Sequence, residues 1–172
     1  MVFINPFYKP QLLKWIKKMF KHAEQHKWFK SYWCWDIHGV ISKPDYRKTI
    51  KEINYYPYAK ETLQLLSKRD DIVMFLFTSS YPDEINKYMD IFKKDQIHFK
   101  YINENPEISD SNGSFGYYEK KPYFNVYFED KAGFNPYIDW YPIYKYFKKT
   151  KYLPDKSWNH KYVETYHKYN NL

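Results

Sequence analysis

Cysteine is nearly absent. The 172 residues hold one, Cys34, which excludes a disulfide framework and suits a reducing, intracellular compartment. Glycine is scarce too, with four residues, and neither a GxGxxG nor a P-loop pattern occurs, so a dinucleotide enzyme and a P-loop kinase are disfavoured. No apolar run approaches the roughly 18 residues of a membrane span. The opening MVFINPFYKPQLLKW has no charged region followed by an apolar one, so neither a membrane segment nor a secretory leader is expected. HExxH is missing as well, and His22, His26, His98, His160 and His167 have no metal-ligand spacing with Cys or Glu. These five read as surface residues.

What is abundant is Lys and Tyr. A net charge of +8 and a pI near 9.2 suit an anionic or phosphorylated partner. Lys and the 21 Tyr also have AT-rich codons, so genome bias supplies them without selection for binding. The length suits one domain: a helix over residues 1–30, a core over 31–149 and a basic, aromatic tail over 150–172. The tail interleaves Lys with Tyr and Trp, which fits either phosphate contact with base stacking or a helix packed on the sheet by its aromatic side.

Leu12, Leu13, Ile16, Met19, Phe20 and Ala23 recur at helical spacing and predict an amphipathic helix from Pro10 to about Phe29. YWCW predicts a buried strand ending at Asp36, with Cys34 as a small buried hydrophobe rather than a reactive thiol. The polar stretch from Gly39 to Tyr56, with Pro44 in it and Pro57 after it, reads as an irregular excursion outside the core. A helix over Tyr58 to Lys68 precedes the apolar run DIVMFLFTSS, a central parallel strand ending at Thr78. Pro82, Asp83 and Glu84 open another helix. IHFKYI is a short strand, residues 103–119 form a loop long enough to be functional, and YFNVYFED is a strand ending at Asp130. Residues from about Pro136 to Lys149 read as a last helix.

Strands alternating with helices predict an α/β fold with a mainly parallel sheet. Ligands bind such sheets beyond the carboxyl ends of the strands, where Asp36, Thr78 with Ser79, and Asp130 would meet. Two carboxylates there suit a hard divalent cation such as Mg2+, which also takes waters and phosphate oxygens. A hydroxyl from Thr78 or Ser79 and the ammonium of Lys121 would hold the remaining phosphate oxygens. The constellation is one for phosphoryl transfer to a carboxylate.

The ordered segments CWDIHGVI, FLFTSS and KKPYFNVYFEDKAGF resemble the haloacid dehalogenase-like hydrolase superfamily over residues 32 to about 140. The last segment is similar to small, minimally capped members from phages and bacteria, several of them nucleotidase-like. That resemblance implies a Rossmann-like three-layer α/β/α sandwich and a Mg2+-dependent phosphohydrolase, with a nucleotide or a nucleic-acid end as the preferred substrate. It makes Asp36 the nucleophile, Asp36, Asp130 and the backbone carbonyl of His38 the metal ligands, Thr78 the phosphoryl holder, and Lys121 or its neighbour Lys120 the neutralising cation. Glu129 would assist at the metal, although as Asp130's neighbour in a strand it is expected on the opposite face.

One position departs from the family pattern. Two residues after the nucleophile these phosphatases usually carry a second Asp as acid and base, and here stands His38. An imidazole suits both jobs near neutral pH. The alternatives are a slow phosphotransferase, or an accessory protein that binds phosphate or nucleic acid without turnover. The short segments between Asp36, Thr78 and Lys121 leave little room for a large cap.

Overall fold

The computed structural model describes residues 11–44, 50–108, 118 and 121–150. Helix α1 (Gln11–His26) leads into strand β1 (Ser31–Trp35), then α2 (Ala59–Leu66), β2 (Ile72–Leu76), α3 (Pro82–Lys94), β3 (Tyr101–Ile102), β4 (Val126–Phe128) and α4 (Trp140–Lys149). Two 3-10 turns, Pro106–Ile108 and Asp130–Ala132, precede and follow β4. The strands form one parallel sheet in the order β3-β2-β1-β4, so the fold is α/β.

The aromatic run of β1 occupies the middle of this sheet because all five of its residues can be buried there. Side chains alternate between the faces. Trp33 and Trp35 join Met74, Leu76 and Phe128 in the larger core, which also takes buried side chains from each of the four helices. Tyr32, Cys34, Val73 and Phe75 face the other way. Among the described residues that second face is covered by Ile108, Tyr123 and Phe124, from the first 3-10 turn and the chain before β4.

Trp35 fixes the end of β1. Its ring stacks on Phe128 at 3.5 Å between centroids and on Trp140 at 5.1 Å, each within 3° of parallel. The Trp140 indole N–H donates to the Val40 carbonyl at 2.9 Å, which pins the loop after β1 onto α4. Helix α3 begins with Pro82, and the Glu84 carboxylate accepts from the Tyr81 N–H at 3.1 Å. Asp83 and Glu84 lie in the first turn and Lys93 and Lys94 in the last, complementing the helix dipole.

Several expectations change. The excursion from Gly39 to Tyr56 contributes Val40, Ile41, Ile53 and Tyr56 to the main core. Hydrogen bonds from Lys43 to the Asn54 carbonyl and from Tyr56 to the Ile41 carbonyl fold the chain back on itself, so a polar sequence still delivers its few apolar residues inward. The strand read from IHFKYI is confined to Tyr101–Ile102, and the last helix starts at Trp140 rather than near Pro136. The strand expected to reach Asp130 stops at Phe128, and the run ending at Thr78 stops as a strand at Leu76. The tail beyond Thr150, the larger part of the 103–119 loop and Lys120 lie outside the described residues. Among the described residues no helix is long and apolar enough to cross a membrane.

Candidate active site

The hydrogen-bond ladders run one step past the strands. Trp35 is in register with Leu76 on one side and Phe128 on the other. Beyond it, the Phe77 N–H donates to the Trp35 carbonyl at 2.8 Å and the Asp36 N–H donates to the Phe128 carbonyl at 3.0 Å. Continued by one residue, the register aligns Phe77, Asp36 and Glu129 across three adjacent strand ends. Trp35 points into the helical core, so by alternation all three point to the second face.

This register corrects the expectation for Glu129. Its backbone is still extended, with φ −146° and ψ 128°, and its side chain lies on the Tyr127 side, where the Tyr127 hydroxyl donates to Oε2 at 2.8 Å. Glu129 therefore shares a face with Asp36, while Asp130 reaches the same place because the chain turns there. Asp36, Glu129 and Asp130 offer carboxylate oxygens within 4.8 Å of one another. Asp130 Oδ1 accepts the Lys131 N–H at 2.8 Å, and the Gly133 N–H closes the turn on the Asp130 carbonyl at 3.0 Å. Gly133 has φ +100°, a conformation that favours glycine.

Gly39, three residues past Asp36, is the second special glycine. Its φ is +80°, and a Cβ there would lie 2.5 Å from Asp130 Oδ2. The spacing DxxG thus leaves room for the Asp130 carboxylate.

Burial pushes the Asp36 carboxyl up to about 6, and the charges of Glu129 and Asp130 add to the shift; the Ile37 N–H and Lys131 act against it. Lys131 is a weak counter-ion, 87% exposed with Nζ 3.9 Å from Glu129 Oε1. Three hard oxygen donors with so little positive charge suit a hard divalent cation. An octahedral Mg2+ shell spans about 4 Å between opposite oxygens, close to the spread of this cluster. Asp36, Glu129 and Asp130 are the side chains that would hold it.

Thr78 is buried one residue beyond Phe77. Asn103 clamps its backbone, accepting the Thr78 N–H through Oδ1 at 2.8 Å and donating through Nδ2 to the Thr78 carbonyl at 2.9 Å. The Thr78 hydroxyl donates to Ser80 Oγ at 3.2 Å and accepts the Ser80 N–H at 3.3 Å. It therefore shapes the turn into α3 without capping the helix, whose N-cap is Tyr81. Ser79 beside it is exposed.

His38 Nε2 lies 2.8 Å from the Tyr88 hydroxyl, with the two rings edge to face. Around it the Ser42 N–H donates to the Ile37 carbonyl at 2.8 Å and the Gly39 N–H to the Ser42 carbonyl at 2.9 Å. Lys121 is exposed, with Nζ 5.9 Å from the Phe124 ring centroid. Phe124 packs on Tyr127, so Lys121 stands two aromatic rings away from Glu129, and among the described residues the cation acting on Asp36 is Lys131. Cys34 is buried beneath Asp36, and burial pushes its thiol far above the usual range, so it is inert as a nucleophile.

Asn103, Lys131 and Phe77 were not singled out by sequence reasoning, and Tyr88 reads in sequence only as part of the buried stripe of α3. Of the first three, Phe77 alone had a local signal, as the residue before a strand-terminal Thr.

No family model matches the chain, and no curated protein matches it. Among solved structures it is similar to a conserved protein of Bacteroides thetaiotaomicron, with 21% identity and a TM-score of 0.50 over 72% of this chain and 93% of that one. At that identity the likeness concerns the fold alone.

Proposed function

We propose that this chain is a Mg2+-dependent phosphomonoesterase working through an aspartyl-phosphate on Asp36. The observation that carries the reading is the convergence of Asp36, Glu129 and Asp130 at the carboxyl ends of two adjacent parallel strands. A bound Mg2+ supplies positive charge against the carboxylates and the phosphate oxygens.

In the first half-reaction an Asp36 carboxylate oxygen attacks phosphorus, and the bond from phosphorus to the leaving oxygen breaks. That oxygen takes a proton from the His38 imidazolium. In the second, neutral His38 accepts a proton from water, the water oxygen attacks the phosphoryl group, and inorganic phosphate departs to regenerate the Asp36 carboxylate. Thr78 orients the phosphoryl group, and Lys131, the cation that acts on Asp36, neutralises phosphate charge on approach.

The contact between His38 and Tyr88 favours a second reading, in which the imidazole is held against α3 and the chain binds phosphorylated ligands without turnover. A phosphoester panel with Mg2+ separates the two, run on wild type, Asp36→Asn and His38→Asp. The proposal expects phosphate release by wild type that vanishes in Asp36→Asn. Inert wild type with an active His38→Asp supports the binding protein, and inertness of both overturns the phosphatase reading.

A further inference from the structure

We propose that Phe77 is a stacking platform for a planar base, so that the preferred phosphomonoester is a nucleoside monophosphate or the end of a nucleic acid; this rests on the reading of Asp36 as the phosphoryl site. The register makes Phe77 the lateral neighbour of Asp36, opposite Glu129, on the same face of the sheet. Adjacent strands are about 4.8 Å apart, so the ring starts about one strand spacing from the nucleophile. Thr78, the next residue, follows it in the turn into α3. The pair therefore brings a hydroxyl and an aromatic ring to the same strand end.

Phe77 is 39% exposed, although it follows a strand whose five residues are all buried. It is not a stray apolar side chain. Its ring meets Tyr127 edge to face at 6.0 Å, and Tyr127 packs on Phe124 at 5.2 Å, with the Lys121 ammonium over the far ring. Tyr127 is in turn fixed by its hydroxyl bond to Glu129. The row is thus a ring surface buttressed from below, starting at the carboxylates and ending at a cation. A phosphorylated sugar carrying a base matches that order: phosphate at the carboxylates and base on the rings. A simple sugar phosphate leaves the rings unused.

The test compares two non-hydrolysable ligands that differ only in the base, the phosphonate analogues of adenosine 5′-monophosphate and of ribose 5-phosphate. Their affinities for the full chain are measured by calorimetry with Mg2+. Wild type is expected to bind the adenosine ligand about tenfold tighter, the size of one stacking contact. Phe77→Ala removes most of that preference while changing the ribose ligand less than twofold, and Phe77→Tyr restores it. Equal binding of the two ligands by wild type, or a preference that survives in Phe77→Ala, overturns the platform. Turnover is scored separately on the corresponding phosphates. Absence of turnover with the base preference intact overturns the phosphatase reading and leaves the platform standing; turnover without a base preference does the reverse.

Discussion

Gly39 and Asp130 pack so closely that a single methyl group on Gly39 would lie 2.5 Å from Asp130 Oδ2. The loop after β1 and the turn after β4 are therefore fitted to each other at the point where the carboxylates converge. The need for glycine is double, because the backbone there also has φ +80°.

Gly39→Ala is accordingly expected to cost about 1–2 kcal/mol from the left-handed backbone alone, a drop in Tm of about 2–8 °C for a chain of this size. The clash adds to it by displacing Asp130. Mg2+ binding should fall together with Tm, read by thermal unfolding with and without the ion. A variant with wild-type Tm and wild-type response to Mg2+ would contradict the close approach.

Asp36 gives a pH dependence with a definite sign. Its folded pKa is raised from 3.8 to about 6, so the stability tied to its protonated form is fully present below about pH 4 and lost as pH rises through 6. Metal-free protein should show that loss in Tm, and Asp36→Asn, which carries no charge to be repelled, should lack it. Mg2+ competes with the proton for the carboxylates, so the rise in Tm that it causes should be larger at about pH 7.5 than at about pH 5. A Mg2+ effect independent of pH across that window would remove Asp36 from the ligand set.

The fold was legible wherever the pattern was local. The aromatic run of β1 and the apolar run of β2 could only be central strands, and Asp36 followed from the end of one of them. Glu129 was misread because alternation was counted from Asp130, as though the strand included it, when β4 ends at Phe128 and the turn swings Asp130 round to join its neighbour. Asn103 left no local trace, and Tyr88 was legible only as part of the buried stripe of α3. Their partners Thr78 and His38 are 25 and 50 residues away in sequence, and nothing in spacing encodes such a pairing. The stretch after Gly39 failed for a different reason: its composition is polar, and burial there is decided by backbone pairing rather than by periodicity.

Glu107 anchors the far end of the second face. On the 3-10 turn Pro106–Ile108, its carboxylate accepts from the Tyr32 hydroxyl at 3.1 Å, the Tyr101 hydroxyl at 3.0 Å, Lys30 at 2.9 Å and Lys100. Burial alone would raise its pKa, but the bonds from Lys100, Lys30 and Tyr101 outweigh that and hold it at about 2. The lysines are half exposed, so their ion pairing is screened by solvent, and the tyrosine hydroxyls add hydrogen bonds to the same charged acceptor. Glu107→Gln is expected to cost about 1–2 kcal/mol at neutral pH, or a fall in Tm of about 2–8 °C. Because the folded pKa is depressed, the contribution is present above about pH 4.5 and disappears as pH falls through 2, so wild type and variant should converge in acid. Thermal unfolding of both proteins at about pH 7 and about pH 2.5 reads this directly; a difference that is as large in acid as at neutrality would mean that the glutamate acts through packing and not through its charge.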